Sequence, residues 1–432
     1  MKIKLQNIGI IEEADINIDG ITLIAGQNDS GKSTVGKVLY ALIRGVNGDE
    51  LTHNINKVQF LSGKIRDVRN LLSRASTTNE NDLKIQDKFI SEFINKLELR
   101  PSFIYSKNDN EIFQIIRNEL ILIRNLYKEY SNNQIKEKLD EFIDDFNNRI
   151  SISYDSKEAL HYRITSFFKN EFGNQIVNSF NNKESFIKIE GVVDKNIHFK
   201  DKIEFEGLDN SSTFYYNDVI FIESPLKLEG NNYIRLNNGS LDKNDYLNTQ
   251  IFYKESELNI FSDQTEKNNY FLSLIKKIIN GNFSINPKDE IVFKKNEKEF
   301  EYSNIATGIK SFGVLQLLLQ KGKLNSNTLL IIDEPEVHLH PIWQVKYAEI
   351  LVRLSKEFAI PIVLTSHSPY FIEALEAFTK KHNYESSTNF YFAKKNENGL
   401  TSKIIDVTKD VTPILSSISE AFYTIQDIND EV

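Results

Sequence analysis

Apolar positions along the chain alternate between strand and helical periods. Over residues 2–8 they alternate with polar ones, and over 14–18 they recur as Ala14, Ile16 and Ile18, the spacing of half-buried strands. Ile21-Thr22-Leu23-Ile24-Ala25 is a short continuous apolar run, which predicts a strand buried on both faces. Residues 34–43 take helical spacing, and turn residues at 45–48 end that helix. From about 50 to 183 the period is helical throughout. One stripe holds Phe60, Leu61, Ile65, Val68, Leu71 and Leu72, and a second Phe89, Ile90, Phe93, Ile94 and Leu97. A third runs through Ile112, Ile115, Ile116, Leu120, Ile123 and Leu126, and a fourth through Ile135, Leu139, Phe142, Ile143 and Phe146. Polar breaks at 77–82 and 131–133, and Pro101, cut these stripes too short for a sustained heptad coiled coil.

From Ser185 strand patterns return at 186–189, 198–205 and 219–222. A helix over 260–279 and a hairpin of 290–293 with 299–302 about Asn296 follow. Residues 303–432 show strong α/β patterning that ends in a helix, a strand pair at 388–393 and 402–407, and a final acidic helix. No repeat of fixed period is present. The chain therefore reads as one α/β unit, built from 1–48 and 185–432 and interrupted by a helical insertion at 49–184. That insertion either packs on itself or serves as an arm that docks a partner or nucleic acid.

Composition narrows this picture modestly. A length of 432 residues suits two or three domains, or one domain with a large insertion. The absence of cysteine excludes disulfides, thiol catalysis and Cys-based zinc sites, and fits a cytoplasmic protein. No apolar run reaches the ~18–20 residues of a membrane span, and the N-terminus lacks the apolar run of a signal peptide, so no membrane partner is expected. A net charge of −9 argues against a wholly basic nucleic-acid binder, but a local basic face is compatible with it. Lys57, Lys64, Arg66, Arg69 and Arg74 form a modest basic stripe, a feature more often seen on a solvated helix face.

Chemistry concentrates at strand ends. Gly26-Gln27-Asn28-Asp29-Ser30-Gly31-Lys32-Ser33 fits the phosphate-binding pattern GxxxxGK[ST], with a strand before it and a helix beginning at Thr34 after it. Its glycines let backbone N–H groups approach phosphate oxygens at a helix N-terminus. Lys32 would reach the β- and γ-phosphates, and Ser33 would ligate Mg²⁺. The apolar run 328–332 ends in Asp333 and Glu334, where ligands bind in a parallel sheet. Asp333 there can hold the Mg²⁺ shell from the side opposite Ser33, and Glu334 can orient or deprotonate an attacking water. Another buried run, 360–366, ends in His367, placed to touch a γ-phosphate, with a satisfied core histidine as the plainer reading. His338 and His340 could suggest a metal, but with Pro341 opening a helix they read better as structural or interface residues. Thr307, Gly308 and Lys310 open the apolar helix 312–319, either as a cap or as an anion-binding N-terminus.

The ordered set of P-loop, insertion, Thr-Gly helix start, acidic strand and His strand resembles the ABC-type ATPase heads of SMC proteins, RecF and the overcoming-lysogenization-defect (OLD) family. Asp333-Glu334-Pro335-Glu336-Val337-His338-Leu339-His340-Pro341 and Thr365-Ser366-His367-Ser368-Pro369 look like the OLD/RecF-like version. The resemblance covers roughly residues 1–44 and 215–432. It implies a P-loop α/β head with an antiparallel β lobe, ATP and Mg²⁺ as cofactors, and two copies paired head-to-tail around two ATP. In such a pair, the segment at Thr307 and Gly308 in one head would contact the γ-phosphate held by the other. Ala306-Thr307-Gly308 departs from the usual Leu-Ser-Gly-Gly but keeps a hydroxyl. The glutamine of the family's switch loop has no counterpart at Glu223-Ser224-Pro225.

Many OLD-like chains carry a nuclease domain after the His strand, and residues 368–432 show no acidic cluster in a further α/β domain. Stand-alone heads of this kind resemble the ATPase subunits of anti-phage systems such as Septu, PARIS and some retrons, whose effector nuclease is a separate protein. The resemblance thus implies an ATPase that forms a homodimer or higher homo-oligomer and regulates a separate effector. RecF- or SMC-like DNA maintenance, with DNA as partner, is the alternative. A transporter nucleotide-binding subunit fits poorly with the long insertion.

Overall fold

In the computed structural model the described residues are 1–48, most of 157–252, and 262–430, with a few isolated helical positions between 121 and 144. The apolar stripes from Phe60 to Phe146 and the basic stripe from Lys57 to Arg74 lie outside the described residues, apart from such isolated positions. The chain divides into two compact units. One comprises Met1–Asn47, Phe167–Asn232 and Asp242–Val432, and the other Gly48–Ser166 and Tyr233–Leu241.

The first unit opens with β1 (Lys2–Ile8), β2 (Ile11–Asn17), β3 (Ile21–Ala25) and helix α1 (Lys32–Val46). Helix α2 (Lys157–Phe172) contributes residues to both units. It is followed by β4 (Ser185–Glu190), β5 (Lys195–Phe199), β6 (Ile203–Glu206) and β7 (Asp218–Ile222). A short antiparallel pair, β8 (Leu236–Asn237) and β9 (Ser240–Leu241), belongs to the second unit. Helices α3 (Lys243–Phe252) and α4 (Ser262–Ile279) then precede a three-stranded antiparallel sheet of β10 (Asn282–Ile285), β11 (Ile291–Lys295) and β12 (Lys298–Glu301). The remainder alternates α5 (Thr307–Gln320), β13 (Thr328–Asp333), α6 (Pro341–Phe358), β14 (Ile362–Ser366) and α7 (Pro369–Lys381), and closes with β15 (Thr388–Lys395), β16 (Ser402–Asp406) and α8 (Thr412–Asp430).

Eleven strands form one sheet in the order β6-β5-β4-β1-β2-β16-β15-β3-β14-β13-β7. From β15 to β7 every pairing is parallel. These central strands are buried on both faces, as their continuous apolar runs require. Ile220, Ile222, Leu330 and Ile332 face the main core, shared with Phe271, Phe312, Tyr347 and Phe371 of α4–α7. The alternate residues Phe221 and Ile331 face α1, where Gly36 lets the helix approach: a Cβ there would lie 3.0 Å from the Phe221 ring. Tyr40 completes this contact edge-on to Phe221, with ring centroids 6.0 Å apart. At the far end of α1 the Arg44 guanidinium lies 3.7 Å over the Tyr246 ring and 3.5 Å from Asp218, tying the helix to β7 and α3.

The other half of the sheet is an antiparallel wing. β1 pairs with β2 and β4, and β4–β5–β6 continue antiparallel with alternating burial, the pattern of a sheet covered on one face. The 198–205 pattern proves to be two strands, in which Phe199 of β5 pairs with Ile203 of β6. The strand pair near the chain's end enters the middle of the sheet: β15 pairs parallel with β3, and β16 joins the wing through β2.

Candidate nucleotide site

Parallel register brings three strand ends to one edge. Ala25 of β3 lies opposite Ser366 of β14, and Thr365 lies opposite Asp333 of β13. The loop after β3 therefore meets the residues that follow β13 and β14.

Within that loop, Gly26 has φ 155° and packs so tightly that a Cβ would sit 2.6 Å from the Ala393 carbonyl oxygen. Gly31 takes φ 85° at the N-cap of α1, and no side chain caps the first helical N–H groups. Lys32 is buried and its Nζ donates to the Gly26 and Gln27 carbonyls at 3.0 and 2.8 Å, so its ammonium bridges the loop that would wrap a phosphate. Burial pushes its pKa down, while Glu334, Asp333 and Glu336 pull it up. Ser30 Oγ is buried in the loop and has no hydrogen-bond partner among the described residues. A tight, donor-lined cradle with an orphaned hydroxyl suits a polyphosphate.

Ser33 Oγ donates to Asp333 Oδ1 at 3.0 Å, which places the hydroxyl and the carboxylate expected to share Mg²⁺ side by side. Thr365 holds the same carboxylate from below: its hydroxyl donates to Asp333 Oδ1 and accepts from the Glu334 N–H at 3.0 Å. Glu334 turns out of the strand in the left-handed region, at φ 50°, pinned by a second N–H contact to the Thr365 carbonyl at 3.2 Å. A non-glycine residue held there carries strain of the order of ~1–3 kcal/mol, a recurring mark of functional turns. Its Oε1 lies 3.2 Å from Nδ1 of His367, and both side chains are partly exposed. Glu336 lies behind them, buried, and accepts from Ser366 Oγ at 2.7 Å and the His367 N–H at 2.8 Å. Burial pushes its carboxyl pKa up against these hydrogen bonds.

The structure thus joins Lys32, Ser33, Asp333, Glu334 and His367 at one edge. Thr307, Gly308 and Lys310 stand apart from this hydrogen-bond web. Thr307 begins α5, with Ala306 rather than Thr307 as N-cap and no side-chain cap bond. Gly308 packs against the His338 backbone and the Leu339 side chain, with a Cβ position 3.1 Å from the His338 carbonyl oxygen. Lys310 is buried, with its Nζ 4.5 Å over the Tyr302 ring, and burial lowers its pKa. His340 caps α6, its Nδ1 accepting from the Ile342 N–H at 3.4 Å. Lys395 reaches the loop from β15, 4.0 Å from Asp29. Thr365 and Glu336 lie in the two segments that carry the family resemblance, but the sequence gives neither a role of its own. A hydroxyl ending a buried apolar strand was the available sign for the first.

A P-loop fold whose phosphate loop, acidic strand and histidine strand converge in this way defines a nucleotide-hydrolysing ATPase. The chain belongs to the AAA ATPase domain family, whose model matches residues 1–372. It is 24% identical over 422 residues to a protein described as "Retron Vc95 probable ATPase" from Vibrio cholerae serotype O1 biovar El Tor, covering 85% of this chain and 71% of that one. It also aligns with the SMC head domain from Thermotoga maritima, at 11% identity and a TM-score of 0.39, covering 94% and 98% of the two chains. An SMC head bound to the C-terminal winged-helix domain of ScpA aligns at 12% identity and a TM-score of 0.41, covering 94% and 96%. Among the described residues no helix is long and apolar enough to cross a membrane.

Proposed function

We propose that the chain hydrolyses ATP at the Gly26–Thr34 loop and uses the cycle to switch a head-to-tail pair of copies. The contact of Ser33 with Asp333 carries the first half of this reading, because it assembles a metal-ready pair from residues 300 positions apart in the chain. Lys32 binds and orients the phosphates. Mg²⁺, held by Ser33 and Asp333, would neutralise charge on the β- and γ-phosphates. Glu334 accepts a proton from the attacking water, and His367, beside it, contacts the γ-phosphate and registers its loss. Removal of the Lys32 ammonium by Lys32→Ala should abolish ATP binding. Unchanged affinity by titration calorimetry would refute the site.

For the pairing, Thr307 and Gly308 complete the site of a second copy instead of their own, while Lys310, buried over the Tyr302 ring, stays within its own head. Their separation from the web of Lys32, Ser33, Asp333, Glu334 and His367 supports that placement. The retron-related ATPase supports a biological setting in which the pair regulates a separately encoded effector, a nuclease, in anti-phage defence. Purification of the chain together with the products of its neighbouring genes, followed by phage challenge, tests this setting. No stable complex and no protection would reject it.

A further inference from the structure

Glu336 has no part in the reaction as described above, yet it is among the most buried carboxylates of the described residues, with 4% side-chain exposure. One oxygen collects several donors from a single stretch. Oε1 accepts from Ser366 Oγ at 2.7 Å, the His367 N–H at 2.8 Å and the Ser368 N–H at 3.2 Å. His367 Nδ1 lies 3.5 Å from the same atom. Its partner Oε2 is buried without a hydrogen-bond partner among the described residues. Ordinary fold maintenance explains this poorly, because a buried, half-satisfied carboxylate is destabilising and an apolar residue would pack better. The arrangement has a geometric result instead. It fixes the backbone of 366–368 against the turn that carries Glu334. The His367 ring then stands with Nδ1 between two carboxylate oxygens, 3.2 Å from Glu334 and 3.5 Å from Glu336. A ring nitrogen facing two carboxylates carries its proton there, which leaves Nε2 for whatever enters the site. Behind this, Ser368 Oγ donates to Gln344 Oε1 at 2.6 Å, so the clamp is braced by α6.

We propose that Glu336 is a positioning residue: its buried carboxylate holds residues 366–368 so that the Nδ1–H of His367 is aimed at Glu334. The proposal rests on the ATPase reading, and two measurements separate the two. In the first, Glu336→Ala should lower kcat at least tenfold, with ATP affinity changed less than threefold. Glu336→Gln, which keeps an oxygen for the three donors, should recover most of that loss. The double variant Glu336→Ala/His367→Ala should be no slower than His367→Ala alone, because the clamp acts through that ring. An unaffected kcat in Glu336→Ala, equal loss of binding and turnover, or multiplicative effects in the double variant would each overturn the proposal. In the second, ¹⁵N spectra of the full-length protein report the His367 tautomer without turnover. The Nδ1–H form should dominate in the wild type and in Glu336→Gln, and should give way to a mixture in Glu336→Ala. An unaltered pattern in Glu336→Ala overturns the positioning role even in a protein that hydrolyses ATP. A wild type silent in phosphate release but showing the tautomer change overturns only the ATPase reading.

Discussion

Ser33 Oγ and Asp333 Oδ1 are 3.0 Å apart although 300 positions separate them in the chain. The hydroxyl opens α1 and the carboxylate ends β13. In Ser33→Ala the carboxylate keeps its Thr365 partner but loses the second oxygen expected to face the metal. ATP affinity measured with saturating Mg²⁺ should fall at least tenfold, while affinity measured in EDTA stays within about twofold. Equal affinities for the variant and the wild type in Mg²⁺ would remove Ser33 from the metal site.

Glu334 and His367 touch across the same edge at 3.2 Å. Glu334→Gln keeps size and polarity but cannot take a proton from water. Phosphate release should drop by ~10²–10⁴-fold with ATP still bound. Size measurement by analytical ultracentrifugation should then show the paired state persisting in ATP. Wild-type rates of phosphate release in this variant would exclude the base role.

Thr365 serves two partners with one hydroxyl, donating to Asp333 and accepting from the Glu334 N–H. Thr365→Val matches its shape but removes both bonds. A loss worth about one hydrogen bond on each side of the reacting groups predicts a kcat about tenfold lower or more, with the melting temperature little changed because the strand remains filled. A kcat equal to that of the wild type would show that Asp333 and Glu334 hold their positions without it.

Head-to-tail pairing has a specific signature in mixtures. Lys32→Ala damages one copy's loop and Thr307→Glu damages the segment offered to the other copy, at a helix start where an added acid is locally tolerated. Neither protein alone should release phosphate. Their mixture should, because a mixed pair contains one intact composite site. A mixture no more active than its components would rule out the shared site.

Much of this site was legible in the chain because its signals are local. The Gly26–Ser33 loop, the acids after 328–332 and the histidine after 360–366 each sit within a few residues of the strand that positions them. The hairpin about Asn296 was equally plain, since Asn296 and Glu297 both adopt positive φ in the structure. What escaped depends on register. Thr365 matters because it lies opposite Asp333, and no spacing within either strand reveals that pairing. Glu336 is one acid among others in the 333–341 segment until 366–368 are folded onto it. The same limit applies to the strands near the chain's end, whose pattern showed a pair but not that β15 lies against β3. The single strand expected over 198–205 failed for a related reason. Apolar alternation continues through both halves, while Phe199 pairs back on Ile203.

The placement of β15 between β3 and β16 has a consequence for how the protein comes into being. The strand that leads into the phosphate loop is made within the first 25 residues, yet its two neighbours, β14 and β15, come from 362–366 and 388–395. At ~5–20 residues per second, on the order of 20–70 s of synthesis separates them. Throughout that interval both edges of β3 lack their native partners, an exposed apolar template that invites mispairing. The nucleotide site is therefore among the last parts of the molecule that can form. Nascent chains halted before residue 388 should retain no ATP, which makes nucleotide binding a readout of synthesis past β15 as well as of the working cycle.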